Sequence, residues 1–191
     1  KKEVEEINNR LFEKLGVNPN RWNHVVDELS ERYSLGEEIN QGTKRIFQLI
    51  YSTPLSMMER AEEGLTFIKK VSVPIGVVTH AGQEWTWRKY NWLSLDRFVE
   101  WDDVFMVDEN GHKTTESWLQ ATTYFGLKPE ECAVVGDSPR SDINPAWEIG
   151  VRHCFLLEDP KQWSVHNQPV NTGVKRICYL SQIPDVILKD C

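Results

Sequence analysis

The chain has 191 residues and a mass of 22.3 kDa, a size that fits one domain or a core domain with a small addition. A hydrophobic fraction of 40% and a charged fraction of 27% are ordinary for a globular protein and argue against disorder. The net charge of −7 argues against a nucleic-acid partner, and no run reaches the ~20 apolar residues of a membrane span.

The first third of the sequence predicts helices and no strand. Four apolar residues recur at the spacing of one helical face: Val4, Ile7, Leu11 and Leu15. Gly16 ends this helix, and two further helices are expected near residues 22–33 and 41–51. We therefore expect a small all-helical block.

From about residue 58 the pattern alternates between strands and helices. The apolar run 73–79 predicts a strand buried on both faces of a parallel sheet. Further strands are expected at 104–107, 131–135, 153–157 and 176–180, and helices at 58–70, 83–95, 115–126, 144–150 and 183–188, with a loop at 158–175. This alternation predicts an α/β fold with a doubly wound, Rossmann-like parallel sheet. We divide the chain into a helical cap, residues 1–57, and an α/β core, residues 58–191.

The four cysteines form no Cys-x-x-Cys pair, which argues against a zinc knuckle or a redox motif. Three of them, Cys132, Cys154 and Cys178, stand beside apolar runs. We predict buried thiols in a reducing compartment, and therefore a cytoplasmic protein.

Two candidate Mg²⁺ ligands, Asp137 and Asp142, follow a predicted strand in the run Gly-Asp-Ser-Pro-Arg-Ser-Asp. Ligands of open α/β sheets bind beyond the carboxyl ends of the strands, so both side chains can face one pocket. Mg²⁺ prefers oxygen ligands and is held by one or two carboxylates together with waters. A solvated turn, with Asp142 as the N-cap of the next helix, is the alternative. On these residues alone, both the Mg²⁺ site and the solvated turn stay open.

Thr79 and His80 end the strand at 73–79, two residues before Gly82. A hydroxyl at a strand end, followed by backbone N–H groups, can cradle a phosphate. A purely structural role is the alternative for Thr79. His80 is a candidate ligand or acid, and its alternative role is to line the pocket or cap the next helix.

Lys113 precedes a predicted helix, where a lone lysine is normally only solvated. Its position in the chain makes it a candidate site residue, because it stands between the strand that ends in Thr79 and the Asp137–Asp142 loop. This order resembles motifs II, III and IV of the haloacid dehalogenase (HAD) superfamily, in its phosphatase-type subgroup with a helical cap. The run GLKPEECAVVGDS and the continuation DINPA also resemble that subgroup, and the resemblance covers about residues 58–190.

The resemblance implies a role for each candidate residue. Thr79 would bind the transferring phosphoryl group and Lys113 would offset its charge, so these two are the implied catalytic residues. His80, where the family usually has Asn, would join them in binding phosphate. Asp137 would bind Mg²⁺ directly, and Asp142 would hold the ion's waters or orient Lys113. Phosphoryl transfer depends mainly on such positioning and charge stabilisation.

One family feature is not found in the sequence: the apolar strand ending in Asp-x-Asp, whose first Asp is the nucleophile. The nearest candidate, Asp108 and Glu109, lies between motifs II and III and does not fit. The strand would fall shortly before Lys1 and would be central in the sheet, so its removal would expose a hydrophobic slot and two unpaired edges. The chain begins KKEVEEINN, without Met or a signal-peptide pattern, and we expect an upstream segment.

Three functions are weighed on these grounds. The first is a Mg²⁺-dependent phosphatase that acts on a small phosphorylated metabolite through an aspartyl-phosphate. The second is a catalytically inactive HAD-like domain that binds a phosphorylated ligand or a protein partner. The third is a dehalogenase or phosphomutase, but Lys113 and both acids favour phosphate chemistry, because a dehalogenase needs no Mg²⁺. We expect a monomer or a homodimer, and the substrate's identity is left open.

Overall fold

The computed structural model describes residues 1–107, 112–158 and 169–183, which form two compact units. The first unit contains Lys1–Ser56, Thr79–Leu93 and His112. The second contains Met57–Val78, Ser94–Val107 and the described part of Lys113–Cys191. The residues of the predicted cap thus share a unit with the segment after Val78, while the division into cap and core domains stays a prediction.

Helices and strands alternate after the first three helices, as the sequence predicts. The helices are α1 (Lys2–Leu15), α2 (Arg21–Tyr33), α3 (Glu37–Ser52), α4 (Ala61–Lys70), α5 (Gln83–Trp92), α6 (Thr115–Tyr124) and α7 (Asn144–Glu148). The strands are β1 (Val77–Thr79), β2 (Val104–Met106), β3 (Ala133–Gly136), β4 (His153–Leu157) and β5 (Lys175–Ile177). None of these described helices has both the length and the apolar character needed to cross a membrane.

The first unit is built around the inward face of α1. Ile7, in the middle of the predicted apolar face, is 2% exposed, and Val25 of α2 packs inside the same unit at 1% exposure. After α1, Val17 forms an isolated parallel bridge with Ala81, which ties the start of the α1–α2 connection to the segment that follows β1. The apolar face that the sequence predicts for α1 is thus the face that packs inside this unit, at Ile7.

The second unit contains a parallel sheet in the order β3-β4-β5. Val135 lies opposite Phe155, and Phe155 lies opposite Lys175. Phe155 is completely buried and forms an apolar cluster with Ile177 and Ile183. A separate two-stranded sheet joins β1 to β2. The predicted α/β fold with parallel strands is confirmed.

The predicted strand at 73–79 is correct only at its end, because β1 covers Val77–Thr79. Its predicted burial on both faces is wrong, since Val73 is 53% exposed and Val77 is only half-buried. Pro74 has no N–H for a strand ladder. In addition, β1 pairs with β2 alone, so its other edge has no neighbouring strand in the described structure.

The predicted burial of the cysteines holds only in part. Cys154 is 1% exposed, and desolvation by burial raises the pKa of its thiol to about 11. Cys132 is half-buried, and burial also raises its pKa. Cys178 is exposed, contrary to the prediction, because β5 has already ended at Ile177.

Among the three cysteines that the structure describes, we expect thiol alkylation at pH 8 to modify Cys178 first and to leave Cys154 intact while the protein is folded. The thiolate is the reacting form, and a pKa of about 11 leaves a thiolate fraction on the order of 10⁻³ at pH 8. Peptide mass spectrometry after timed quenching measures both sites, and unfolding in denaturant should equalise them. Equal rates in the folded protein would contradict the described packing.

The predicted helix at 183–188 lies outside the described residues apart from Ile183, as do Cys191 and most of the predicted loop at 158–175. The rejected nucleophile candidates, Asp108 and Glu109, also lie outside them.

Candidate active site

The loop after β3 folds back on itself and buries Asp142. Ser138 donates its backbone N–H to Asp142 Oδ2 at 3.1 Å, and the Asp142 backbone N–H donates to the Ser138 carbonyl at 2.8 Å. One turn of π-helix, Pro139–Ile143, leads from there into α7. The Asp142 side chain packs directly on Gly136, where an added Cβ would lie closer than 3.0 Å to three of its atoms. Only a glycine at this position leaves room for the carboxylate.

Lys113 and Asp142 form a buried ion pair. Lys113 Nζ lies 2.6 Å from Asp142 Oδ1, and the two side chains are 10% and 9% exposed. The same ammonium donates to the Val78 carbonyl at 3.2 Å and lies 5.8 Å from the centre of the Trp118 ring. Two of its three N–H donors are thus used by described residues, and the third is not.

Lys113 also connects the ends of two strands in the second unit. Val78 lies near the carboxyl end of β1, and Asp142 is hydrogen-bonded to Ser138, just beyond the carboxyl end of β3. Since one lysine contacts both, the carboxyl edges of the two sheets lie close together at this point. Ligands of open α/β sheets bind at such an edge.

The carboxylate of Asp137 differs from that of Asp142 in its exposure and in its contacts. It is exposed, and it makes no hydrogen bond or ion pair with any residue that the structure describes. Both oxygens of Asp142, in contrast, already accept from Ser138 and Lys113. Within the described ranges no group of three or more His, Cys, Asp or Glu side chains could hold a metal ion. Of the two predicted Mg²⁺ ligands, Asp137 is therefore the one whose carboxylate oxygens are not used by any described residue.

Thr79 and His80 belong to the first unit. The Thr79 hydroxyl accepts the backbone N–H of Ala81 at 3.2 Å, which closes a tight turn at the end of β1. The His80 ring meets Phe12 of α1 edge-on, with 6.0 Å between ring centres. The structure thus brings Lys113 and Asp142 into contact and places Asp137 on the same loop. Thr79 lies in a turn with Ala81, and His80 contacts Phe12 within the first unit. Their phosphate-binding roles stay predictions.

An apolar groove of about 740 Å³ separates the two sheets of the second unit. One wall is β1 with the residues before it, the other is β3, and α4 lines it as well. Its lining includes Ile75, Gly76, Val77, Ala133, Val135, Gly136, Leu65 and Ile68, with Asp137 at one end. Because β1 and β3 are both edge strands here, two unpaired backbone edges border an apolar space.

Two residues of the site, Ser141 and Trp118, were not predicted from the sequence. Ser141 accepts the backbone N–H of Lys113 at 2.9 Å, and Trp118 donates its indole N–H to the Ser141 carbonyl at 3.0 Å. Ser141 stands directly before Asp142, which is the only sequence signal that points to it.

The chain belongs to the haloacid dehalogenase-like hydrolases. The sequence profile of that family matches residues 9–156, which include the Thr79, Lys113, Asp137 and Asp142 positions. The family assignment from the order of motifs is therefore confirmed.

Similarity to individual proteins agrees with this. Over 106 residues the chain is 31% identical to a glyceraldehyde 3-phosphate phosphatase from Pyrococcus furiosus, covering 54% of this chain and 43% of that protein, so it spans less than half of the relative's length. Its fold resembles a haloacid dehalogenase-like family hydrolase from Xanthomonas campestris, with a TM-score of 0.81 and 14% identity over 99% of this chain and 76% of that one. It also resembles a Thermotoga maritima protein assigned as a beta-phosphoglucomutase, with a TM-score of 0.63 and 18% identity over 100% and 93% of the two chains.

Proposed function

We propose that this protein is a Mg²⁺-dependent phosphatase that hydrolyses a small phosphorylated metabolite. The observation that carries the proposal is the buried Lys113–Asp142 pair at the carboxyl ends of β1 and β3, in which the described residues use two of the three lysine N–H donors. A fixed cation at such an edge suits a phosphate oxygen. The phosphatase activity of the Pyrococcus furiosus relative supports the same class of reaction.

We propose further that the nucleophile is an aspartate on an apolar strand that fills the groove between β1 and β3, outside residues 1–191. The groove is bordered by two strand edges, its lining is apolar, and Asp137 stands at its end. A strand in this position would pair with β1 and β3 and join the two sheets into one. Its carboxyl end would meet the Lys113 edge if it ran parallel to both neighbours.

The chemistry assigned to each side chain follows from its position. A carboxylate oxygen of the aspartate attacks phosphorus, the ester oxygen leaves as an alcohol after gaining a proton, and water then hydrolyses the acyl phosphate to release phosphate. Lys113 offsets negative charge on the phosphoryl oxygens, and Asp142 holds its ammonium in place. Thr79 and His80 keep the phosphate-binding role that the family resemblance implies. Mg²⁺ held by Asp137 would neutralise further charge on that group.

The proposal is tested by phosphate release from a panel of small phosphomonoesters, using the protein as it occurs in its natural source. We expect release that is lost with a chelator and restored by Mg²⁺. Asp137→Asn should lower the rate at least about 100-fold, because it removes the proposed metal ligand. Asp96→Asn, at another exposed aspartate, should leave the rate unchanged. No release from any ester, or full activity of the Asp137→Asn protein, would refute the proposal.

A second candidate is a catalytically inactive domain that binds a phosphorylated ligand or a protein partner, because no apolar run within residues 1–191 ends in Asp-x-Asp. Thermal stabilisation by phosphate without turnover would support it. A cytoplasmic location and a monomeric or homodimeric state belong to the main proposal.

A further inference from the structure

We propose that Ser141 and Trp118 are positioning residues that set the direction of the Lys113 ammonium. The importance of this role for catalysis rests on the proposed function, whereas the positioning itself does not. Both residues are buried, with Ser141 at 3% and Trp118 at 7% exposure. Neither carries a charge, and neither belongs to the predicted catalytic set.

Ser141 fixes the backbone of Lys113. Its hydroxyl accepts the Lys113 backbone N–H at 2.9 Å, while the next residue, Asp142, binds the Lys113 side chain at 2.6 Å. Two adjacent residues of one loop thus bind the backbone N–H and the side-chain ammonium of Lys113. A lysine side chain has many rotamers, so fixing the backbone and the ammonium together restricts it to a few.

Trp118 in turn holds the backbone of Ser141 in place through a hydrogen bond. Its indole N–H donates to the Ser141 carbonyl at 3.0 Å, and the face of its ring lies 5.8 Å from Lys113 Nζ. Trp118 stands in the first turns of α6, and Thr114 caps that helix by accepting the Ser117 backbone N–H at 3.2 Å. The tryptophan therefore connects a capped helix to the Asp137–Asp142 loop. The face of its ring also attracts the Lys113 ammonium by a cation–π interaction.

The alternative is that both residues only hold the fold together. A structural role predicts that Ser141→Ala and Trp118→Phe lower stability without changing how Lys113 behaves in the folded protein. The positioning role predicts a change at Lys113 itself. Trp118→Phe retains an aromatic face but removes the N–H donor together with part of the ring, while Ser141→Thr retains the hydroxyl that Ser141→Ala removes.

The first readout needs no catalysis: acylation of lysines in the folded protein by an amine-reactive ester, measured by peptide mass spectrometry. Exposed Lys70 serves as the internal reference. We expect Ser141→Ala and Trp118→Phe to raise labelling of Lys113 relative to Lys70 by at least about fivefold, since each removes one hydrogen bond. Ser141→Thr should match the unaltered protein. Unchanged Lys113 labelling in both of the first two variants would overturn the proposal.

The second readout is the kinetics of phosphate release. We expect Ser141→Ala to lower kcat roughly tenfold with KM changed less than about twofold, and Ser141→Thr to restore most of it, because a misdirected ammonium weakens the transition state most. A KM effect alone would overturn the catalytic part of the proposal. If the unaltered protein releases no phosphate while Lys113 labelling changes as predicted, the proposed function fails and the positioning stands.

Discussion

Lys113→Met should lower the free energy of unfolding by about 3–5 kcal/mol, because it leaves the carboxylate of Asp142 buried without its cation. The side chains of the pair are 10% and 9% exposed, so little water is available to replace the lost contact. Methionine is similar in length to lysine, which limits the loss of packing. Urea denaturation measures the change, and phosphate release should fall with it.

A second variant separates charge burial from catalysis. Lys113→Met combined with Asp142→Asn removes both charges and keeps an oxygen for the Ser138 N–H, so we expect most of the lost stability to return. Activity should not return, because the cation is gone. Glu84→Gln, which breaks the exposed Arg88–Glu84 pair, should change stability by less than about 0.5 kcal/mol. A single Lys113→Met protein as stable as this control would contradict the buried pair.

Gly136→Ala should destabilise the protein by about 1–3 kcal/mol and abolish phosphate release. The added Cβ would lie closer than 3.0 Å to the Cβ, Cγ and Oδ2 of Asp142, so the carboxylate must move away from Lys113. The loss of a well-placed cation would then follow from a single methyl group.

Gly42→Ala is the matched control for this substitution. Gly42 lies inside α3, and an added Cβ there would meet nothing within 4 Å. We expect it to stabilise the protein by about 0.5–1 kcal/mol, because alanine suits a helix better than glycine. Thermal unfolding should therefore shift in opposite directions for the two variants. A Gly136→Ala protein as stable as the unaltered one would show that Asp142 does not rest on that glycine.

The fold was predictable wherever a repeating pattern reports on burial. The apolar residues of α1 recur at helical spacing, and Ile7 among them is buried as expected. The β3 and β4 strands follow from short apolar runs between turn signals. The apolar run before β1 led to a wrong prediction of burial, since Val73 is exposed beside the groove. An apolar sequence does not reveal whether a neighbouring strand is present to cover it.

The site was predictable only through charged residues in a recognisable order. Lys113 and Asp142 stand out by charge and position, and the structure shows them paired. Ser141 and Trp118 contribute through hydrogen bonds that involve the backbone, to partners 28 and 23 residues away in the sequence. Such contacts follow no period, and serine and tryptophan are ordinary residues in a loop and a helix. Only the folded chain identifies them.

The most direct test of the central claim is to trap and locate the phosphoenzyme of the protein from its natural source. The protein would be incubated with Mg²⁺ and a phosphomonoester that it hydrolyses, quenched in acid, reduced with borohydride to mark acyl phosphates, and digested for peptide mass spectrometry. We predict a single modified aspartate, on an apolar segment outside residues 1–191. Modification of a residue within 1–191, or phosphate release without any trapped acyl phosphate, would contradict a nucleophile carried by a strand in the β1–β3 groove.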